Sequence, residues 1–247
     1  MSLPGQEIYR GHDQFGSVRV LDDGDKRYLA FGDQDEQSCC LKHEPLIPEH
    51  EYVRAMLLAL LFVEPRQVIS LGLGAGALNT CLHGRFPGLK QQIAELRPEV
   101  VEVAYRFFQL PRGKRIQVHT TDALDFLRHV DTRKADIIFS DIYGAEGLSD
   151  QQLGEEYLEL CARRLKPGGW LVMNLWREHQ GPDTLELLLQ QFGTLYGCHT
   201  QSGNWVVFAA EDDHDISQNR LDKRARELGQ QLGFSLSSHL KRLRSYP

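Results

Sequence analysis

The chain has 247 residues, a formal net charge of −6 and 25% charged residues, with an isoelectric point near 5.9. That length suits one α/β domain with a small appendage and a sizeable core, and the acidic balance argues against a dedicated nucleic-acid surface. The N-terminal MSLPGQEIYRGHDQ lacks a signal-peptide core, and the longest apolar run, Ala55 to Val63, is too short to cross a bilayer. Five cysteines without CxxC spacing point to a reduced, cytoplasmic protein with no metal site and no membrane segment.

Residues 6 to 40 read as β-structure: Gln6 to Tyr9, Gly16 to Leu21 and Arg27 to Phe31 alternate in polarity, and Asp22-Asp23-Gly24-Asp25 supplies a hairpin turn. A sheet this small does not stand alone, so it is expected to pack on the main body or across a homodimer interface. The vicinal Cys39-Cys40 pair reads as buried thiols. A polar stretch, Lys42 to Pro48, leads into a helix from Glu49 to Phe62. His50, Glu51 and Arg54 lie on its first turns, where surface capping is the simpler reading. These boundaries divide the chain into an N-terminal β-segment, 1–48, and a nucleoside-binding unit, 49–247.

From Arg66 the pattern becomes a nucleotide cradle. Val68-Ile69-Ser70-Leu71 reads as a buried parallel strand. Gly72, Gly74 and Gly76 follow at alternate positions, then a helix runs from Ala77 towards Phe86. A second strand, Gln92 to Ala94, ends at Glu95, 19 residues beyond Gly76. Glycines allow a sharp turn and close ligand approach, and a carboxylate on the next strand can grip two ribose hydroxyls. Dinucleotides and S-adenosyl compounds both fit such a cradle. The third glycine comes one residue early for the dinucleotide fingerprint, which favours the second class.

Downstream, Pro98 to Phe108 is a helix and Ile116 to His119 a strand followed by Asp122-Ala123. Asp122 can cap the helix Ala123 to His129 and still face a ligand at the strand edge. Ala135 to Ser140 is a fourth strand ending at Asp141, before a loop, Ile142 to Gly147. With no helix to cap, Asp141 is the leading catalytic candidate. Glu155 to Leu165 is helical and stops at Lys166-Pro167-Gly168-Gly169. Strands follow at Trp170 to Leu175, Thr194 to His199 and Trp205 to Ala210, with a helix from Thr184 to Phe192 and a hairpin loop at Gln201 to Asn204. The tail reads as two basic amphipathic helices, Ser217 to Leu232 and Leu236 to Leu243, with solvated faces.

From Gln67 to about Ala210 the chain resembles class I S-adenosylmethionine-dependent methyltransferases. The residues carrying this are Leu71-Gly-Leu-Gly-Ala-Gly76, Glu95, Asp122-Ala123, Asp141 and the run Arg164 to Val172. Within that superfamily it is most similar to the spermidine synthase group of polyamine aminopropyltransferases. The N-terminal β-segment, His50-Glu51 and Glu95-Leu-Arg-Pro-Glu-Val-Val-Glu-Val-Ala104 add to this. The resemblance implies a Rossmann-like, seven-stranded methyltransferase-type sheet with a small N-terminal β-domain. It implies that Gly72, Gly74, Gly76, Glu95, Leu96, Asp122 and Ala123 bind decarboxylated S-adenosylmethionine or S-adenosylmethionine, Glu95 through the ribose and Asp122 through the adenine amine. Asp141, with His50 and Glu51, would act on a small-molecule amine.

The family's acid in the glycine loop is Ala75 here, its second acid after the fourth strand is Gly144, and its Tyr-His-Glu motif is Glu49-His50-Glu51. All three differences fall on the amine half of the site. Without an acid at 75, weak discrimination between the two sulfonium donors is expected, unless an acid such as Glu146 takes its place. Three functions are therefore carried forward: aminopropyl transfer, methyl transfer, and nucleoside binding without catalysis.

Overall fold

The computed structural model describes residues 4–32, 35–129, 131–144, 147–148, 150–212 and 217–246. The alternating N-terminal segments form a four-stranded antiparallel meander of β1 (Gln6–Asp13), β2 (Gly16–Asp23), β3 (Lys26–Phe31) and β4 (Asp35–Leu41). Gly24, at φ +56°, makes the tight β2–β3 turn. Three of these strands are the expected ones. The fourth escapes sequence patterning because Glu36-Gln37-Ser38 is a polar run with no apolar alternation.

After α1 (Glu51–Met56) the expected long helix tightens into a 3-10 turn over Leu57–Leu61, every residue of which is buried. There follow β5 (Gln67–Leu71), α2 (Ala77–Arg85), β6 (Lys90–Glu95), α3 (Pro98–Phe107), β7 (Ile116–Thr120), α4 (Ala123–Arg128) and β8 (Ala135–Ser140). The expected loop contains a two-residue pairing of β9 (Tyr143–Gly144) with β10 (Gly147–Leu148). Next come α5 (Glu155–Arg164), β11 (Leu165–Trp176), α6 (Pro182–Gln191), β12 (Thr194–His199), β13 (Asn204–Ala210), α7 (Gln218–Leu232), α8 (Ser237–Leu240) and β14 (Leu243–Tyr246). In β11 the Pro-Gly-Gly stop is absorbed as a bulge. Leu165 pairs with Ala135 and Trp170 with Ile137, so four residues bow out opposite Asp136, which Lys166 Nζ holds at 2.9 Å.

The main sheet runs β14-β12-β13-β11-β8-β5-β6-β7. Its middle is parallel, and β13 and β12 close it antiparallel. The seven expected strands are all present, and β14 is an eighth. The second tail helix is shorter than expected because the chain from Leu243 extends along β12 and covers an otherwise open sheet edge. Period-two alternation sorts the strand residues to two cores. Val68, Ile137, Phe139, Trp170, Val172, Val206 and Phe208 face α1, α2 and α7, while Ile69, Leu71, Ile138, Leu171, Met173, Trp205 and Val207 face α4, α5 and α6.

Two features hold the N-terminal sheet to this body. Val18, Val20, Leu29 and Phe31 form an apolar cluster with Val100, Val103 and Phe108 of the α3 region. Beside it, Arg97 donates to both carboxylate oxygens of Asp13 at 2.8 and 3.0 Å and to the Gly16 carbonyl at 2.9 Å. Its guanidinium lies 4.2 Å from the Phe31 ring centroid. The two ionic side chains are only 8% and 7% exposed. Removing one partner of so buried a pair strands the other, at a cost of about 3–5 kcal/mol. Asp13→Ala should therefore lower the unfolding free energy from urea titration by an amount in that range, and the midpoint with it. An unchanged midpoint would show that the apolar cluster alone holds the sheet.

Candidate active site

Where β5 ends the chain must turn away without blocking its neighbour. Gly72 does this at φ +92°, and a Cβ there would stand 2.1 Å from the Asp141 carbonyl oxygen. The same point is pinned by two backbone bonds, Gly72 N–H to the Ala94 carbonyl and Asp141 N–H to the Leu71 carbonyl, both 2.9 Å. The ends of β5, β6 and β8 are thereby locked side by side. Strand order reverses between β5 and β8, and this switch point is where open α/β sheets leave a crevice for ligands. A cavity of about 520 Å³ occupies it, walled on one side by the strand ends and on the other by the N-terminal sheet.

One part of the wall matches the expected nucleoside contacts. Gly72, Gly74, Glu95, Leu96, Asp122 and Ala123 all line the cavity. Glu95 accepts from the Leu73 and Arg97 backbone N–H groups, each at 2.9 Å. Burial pushes its carboxyl above the usual range, while these backbone donors pull the other way. Asp122 accepts from Leu124 N–H at 2.8 Å and so caps α4, while its side chain still borders the cavity. Gly76 does not line the cavity. At φ +77° it starts α2, and a Cβ there would meet Leu110 at 2.8 Å, so its role is packing.

Another part is built around Asp141. Asn174 Nδ2 donates to its Oδ1 at 2.9 Å, and the Tyr52 hydroxyl donates to the same carboxylate. Asn174 is itself oriented by Asn204 Nδ2 at 3.0 Å, and the Tyr143 hydroxyl donates to the Asn174 carbonyl at 3.0 Å. Burial raises the proton affinity of Asp141, and the Asn174 and Tyr52 bonds moderate the rise. A carboxylate so placed can take a proton from a group delivered to the cavity. His50 lines the same wall, stacked on Tyr52 with ring centroids 5.5 Å apart, and burial keeps its imidazole neutral by lowering its pKa.

Other expected residues sit elsewhere. Glu51 faces away from the cavity: it accepts from Arg242 at 2.5 Å and from Gln201 N–H at 2.7 Å, and so ties α1 to the C-terminal tail. Successive helix residues point about 100° apart, and it is Tyr52, one step on, that reaches Asp141. Ala75 is also turned away, sealed in the apolar cluster between the N-terminal sheet and α3. Glu146 lies outside the described residues. Sequence reasoning missed Tyr52, Asn174, Asn204 and Glu36. The one readable signal among them was Asn174, a polar residue inside the apolar strand Trp170 to Leu175. Phe15, Leu96 and Trp176, three of the five exposed large apolar side chains among the described residues, border the cavity and make its mouth apolar. Among the described residues no cluster of three or more His, Cys, Asp or Glu side chains could hold a metal ion.

Residues 48–182 match the spermine/spermidine synthase domain. A polyamine aminopropyltransferase of Chromobacterium violaceum is 28% identical over 233 residues, 92% of this chain and 89% of that protein. Among solved structures, a probable spermidine synthase from Corynebacterium glutamicum superposes with a TM-score of 0.76 at 18% identity, covering 92% of this chain and 88% of that one. Human methyltransferase-like protein 13, solved with SAH, superposes with a TM-score of 0.69 at 22% identity, covering 74% and 93%.

The strand-end lock makes a clean comparison between two glycines. Gly72→Ala should cost more than about 1 kcal/mol, from the positive φ and the collision with the Asp141 carbonyl. Gly88→Ala, where an added Cβ meets nothing within 4 Å, should be neutral. Equal melting temperatures for the two variants would show that the strand ends can part without cost.

Proposed function

Because the chain belongs to the spermine/spermidine synthase family, we propose that it transfers an aminopropyl group from decarboxylated S-adenosylmethionine to a small-molecule amine. The carrying observation is the cavity itself, with Glu95 and Asp122 on one part of its wall and the Tyr52–Asp141–Asn174 arrangement on another. Glu95 holds the ribose hydroxyls and Asp122 the adenine amine. The donor's sulfonium activates the adjacent carbon for in-line attack. Asp141 accepts the proton of the attacking amine as the new C–N bond forms, the C–S bond breaks and methylthioadenosine leaves. Tyr52 and Asn174 keep Asp141 aimed and ionised, and the apolar mouth limits competing water.

A second reading, methyl transfer from intact S-adenosylmethionine, has one observation in its favour. With Ala75 sealed in apolar packing, the glycine loop presents no carboxylate to repel that of the intact donor. Calorimetric titration with methylthioadenosine and both donors, followed by product analysis, separates the two. We also assign 1–48 as a β-domain, 49–247 as the S-adenosyl-binding unit, and the assembly as a cytoplasmic homodimer. Five free, buried cysteines and the outer edge of β1, unpaired among the described residues and carrying the exposed Ile8, support this. No helix among the described residues is long and apolar enough to cross a membrane. Light scattering should give twice the 28.2 kDa mass of one chain.

Glu95→Ala should weaken methylthioadenosine binding by ~10-fold or more, since each charge-assisted bond to a ribose hydroxyl contributes about 1.5–3 kcal/mol. Unchanged affinity would refute the ribose role.

The pH profile tests Asp141. Its pKa is raised by burial, so base activity is present above that pKa and lost as pH falls through it. The Asn174 bond lowers that pKa, so Asn174→Ala should move the acid limb of kcat/KM to higher pH. An acid limb that stays in place would remove Asp141 as the base.

A further inference from the structure

Four carboxylates among the described residues line the cavity: Glu36, Glu95, Asp122 and Asp141. Three have structural partners. Glu95 is bonded to the backbone N–H groups of Leu73 and Arg97, Asp122 caps α4, and Asp141 is held by Asn174 and Tyr52. Glu36 differs. Its ion-pair partner among the described residues is His50 Nε2, at 3.5 Å, and that nitrogen is buried without a hydrogen-bond partner. Arg97, the other base on the wall, is spent on Asp13 and Gly16. Lys26, the only cation among the described residues that acts on Glu36 through space, is paired with Glu49.

The position of Glu36 is as informative as its isolation. Glu36, Gln37 and Ser38 of β4 all border the cavity, around a bulge that sets Ser38 opposite Leu29 and Glu36 opposite Ala30. Ser38 rests against the glycine loop, 3.6 Å from where a Gly74 Cβ would stand. Glu36 thus borders the same cavity as Gly72 and Gly74 of the loop, whose own residue 75 is turned into the apolar cluster. From Asp141 a continuous series of contacts reaches it, through the Tyr52 hydroxyl, the stacked His50 ring and the 3.5 Å gap to Glu36.

On the reading of the site given above, we propose that Glu36, backed by His50, is a binding site for a primary alkylammonium group of the reactants. A partly exposed carboxylate facing a cavity whose one described cation, Arg97, is already paired is electrostatically incomplete, and an ammonium delivered there forms a charge-assisted hydrogen bond at the cavity wall. Burial already raises the proton affinity of Glu36, as expected of a carboxylate awaiting its counter-charge. The neutral His50 ring, 3.5 Å away, leaves that charge unopposed. The preference for a cationic donor tail, which the glycine loop cannot supply, is thereby moved to the N-terminal sheet.

Donor and acceptor both carry such an ammonium, and two arms of one experiment tell them apart. In the first, the unmutated chain and Glu36→Gln are titrated with decarboxylated S-adenosylmethionine and with methylthioadenosine, which has the nucleoside but no ammonium. If the donor's tail sits at Glu36, the variant loses tenfold or more in affinity for the donor and less than twofold for methylthioadenosine. In the second, steady-state rates are taken with 1,4-diaminobutane as acceptor. If the acceptor sits there, KM for the diamine rises tenfold or more while donor affinity holds. Glu36→Asp should recover part of the loss in whichever arm shows it. Unmutated and variant chains alike in both arms, with nucleoside binding intact, overturn the site alone. An unmutated chain that binds neither nucleoside overturns the donor reading and this inference with it.

Discussion

The close approach of two strand ends governs this molecule. Gly72 lets β5 turn beneath the Asp141 carbonyl, and reciprocal backbone bonds hold the ends of β5, β6 and β8 in register. Because Glu95 and Asp141 each lie at one of those ends, their separation is set by the sheet and not by flexible loops. The site inherits the rigidity of a core whose strands are buried on both faces. Placement on rigid elements is what keeps reacting groups within the narrow tolerances that catalysis requires.

Electrostatics then give these fixed positions their chemistry. The cavity walls concentrate carboxylates and offer almost no free positive charge among the described residues. Burial raises the proton affinity of Glu36, Glu95 and Asp141 together; backbone N–H groups and Arg97 moderate it at Glu95, Asn174 and Tyr52 at Asp141, and the charge of Lys26 at Glu36. A site of this kind selects for cationic, hydrogen-bond-rich ligands and against anions. Its apolar rim of Phe15, Leu96 and Trp176 suits the methylene stems of such ligands more than their charged ends.

The sequence made legible what local order dictates. An apolar run followed by a glycine or an acid marks a strand end, and in a parallel sheet all such ends lie on one edge, so Gly72, Glu95, Asp122 and Asp141 could be read directly. What could not be read depends on direction or on distant packing. Glu51 and Tyr52 are neighbours, yet only the turn of α1 decides which meets Asp141 and which meets Arg242. Ala75 looked like a vacant acid position, but the docking of a separate sheet buries it. Glu36 belongs to a strand without apolar alternation, so neither its element nor its place at the cavity showed. β14 likewise follows from an open edge on β12, a property of the finished sheet.

The join between the two sheets has a consequence for how this scaffold can diversify. Nearly everything assigned to the nucleoside comes from the main sheet, whereas Phe15, Phe31, Glu36 and Ser38 come from the meander fastened by Arg97 and Asp13. The fastening is a small patch, and Glu95, two residues from Arg97, anchors to backbone amides of its own. Substitutions in the meander can thus reshape one wall of the cavity without disturbing the other. On these assignments the nucleoside wall and the meander wall are separately heritable, and grafting a different meander onto the same Arg97 offers a direct route to redesigning the second of them.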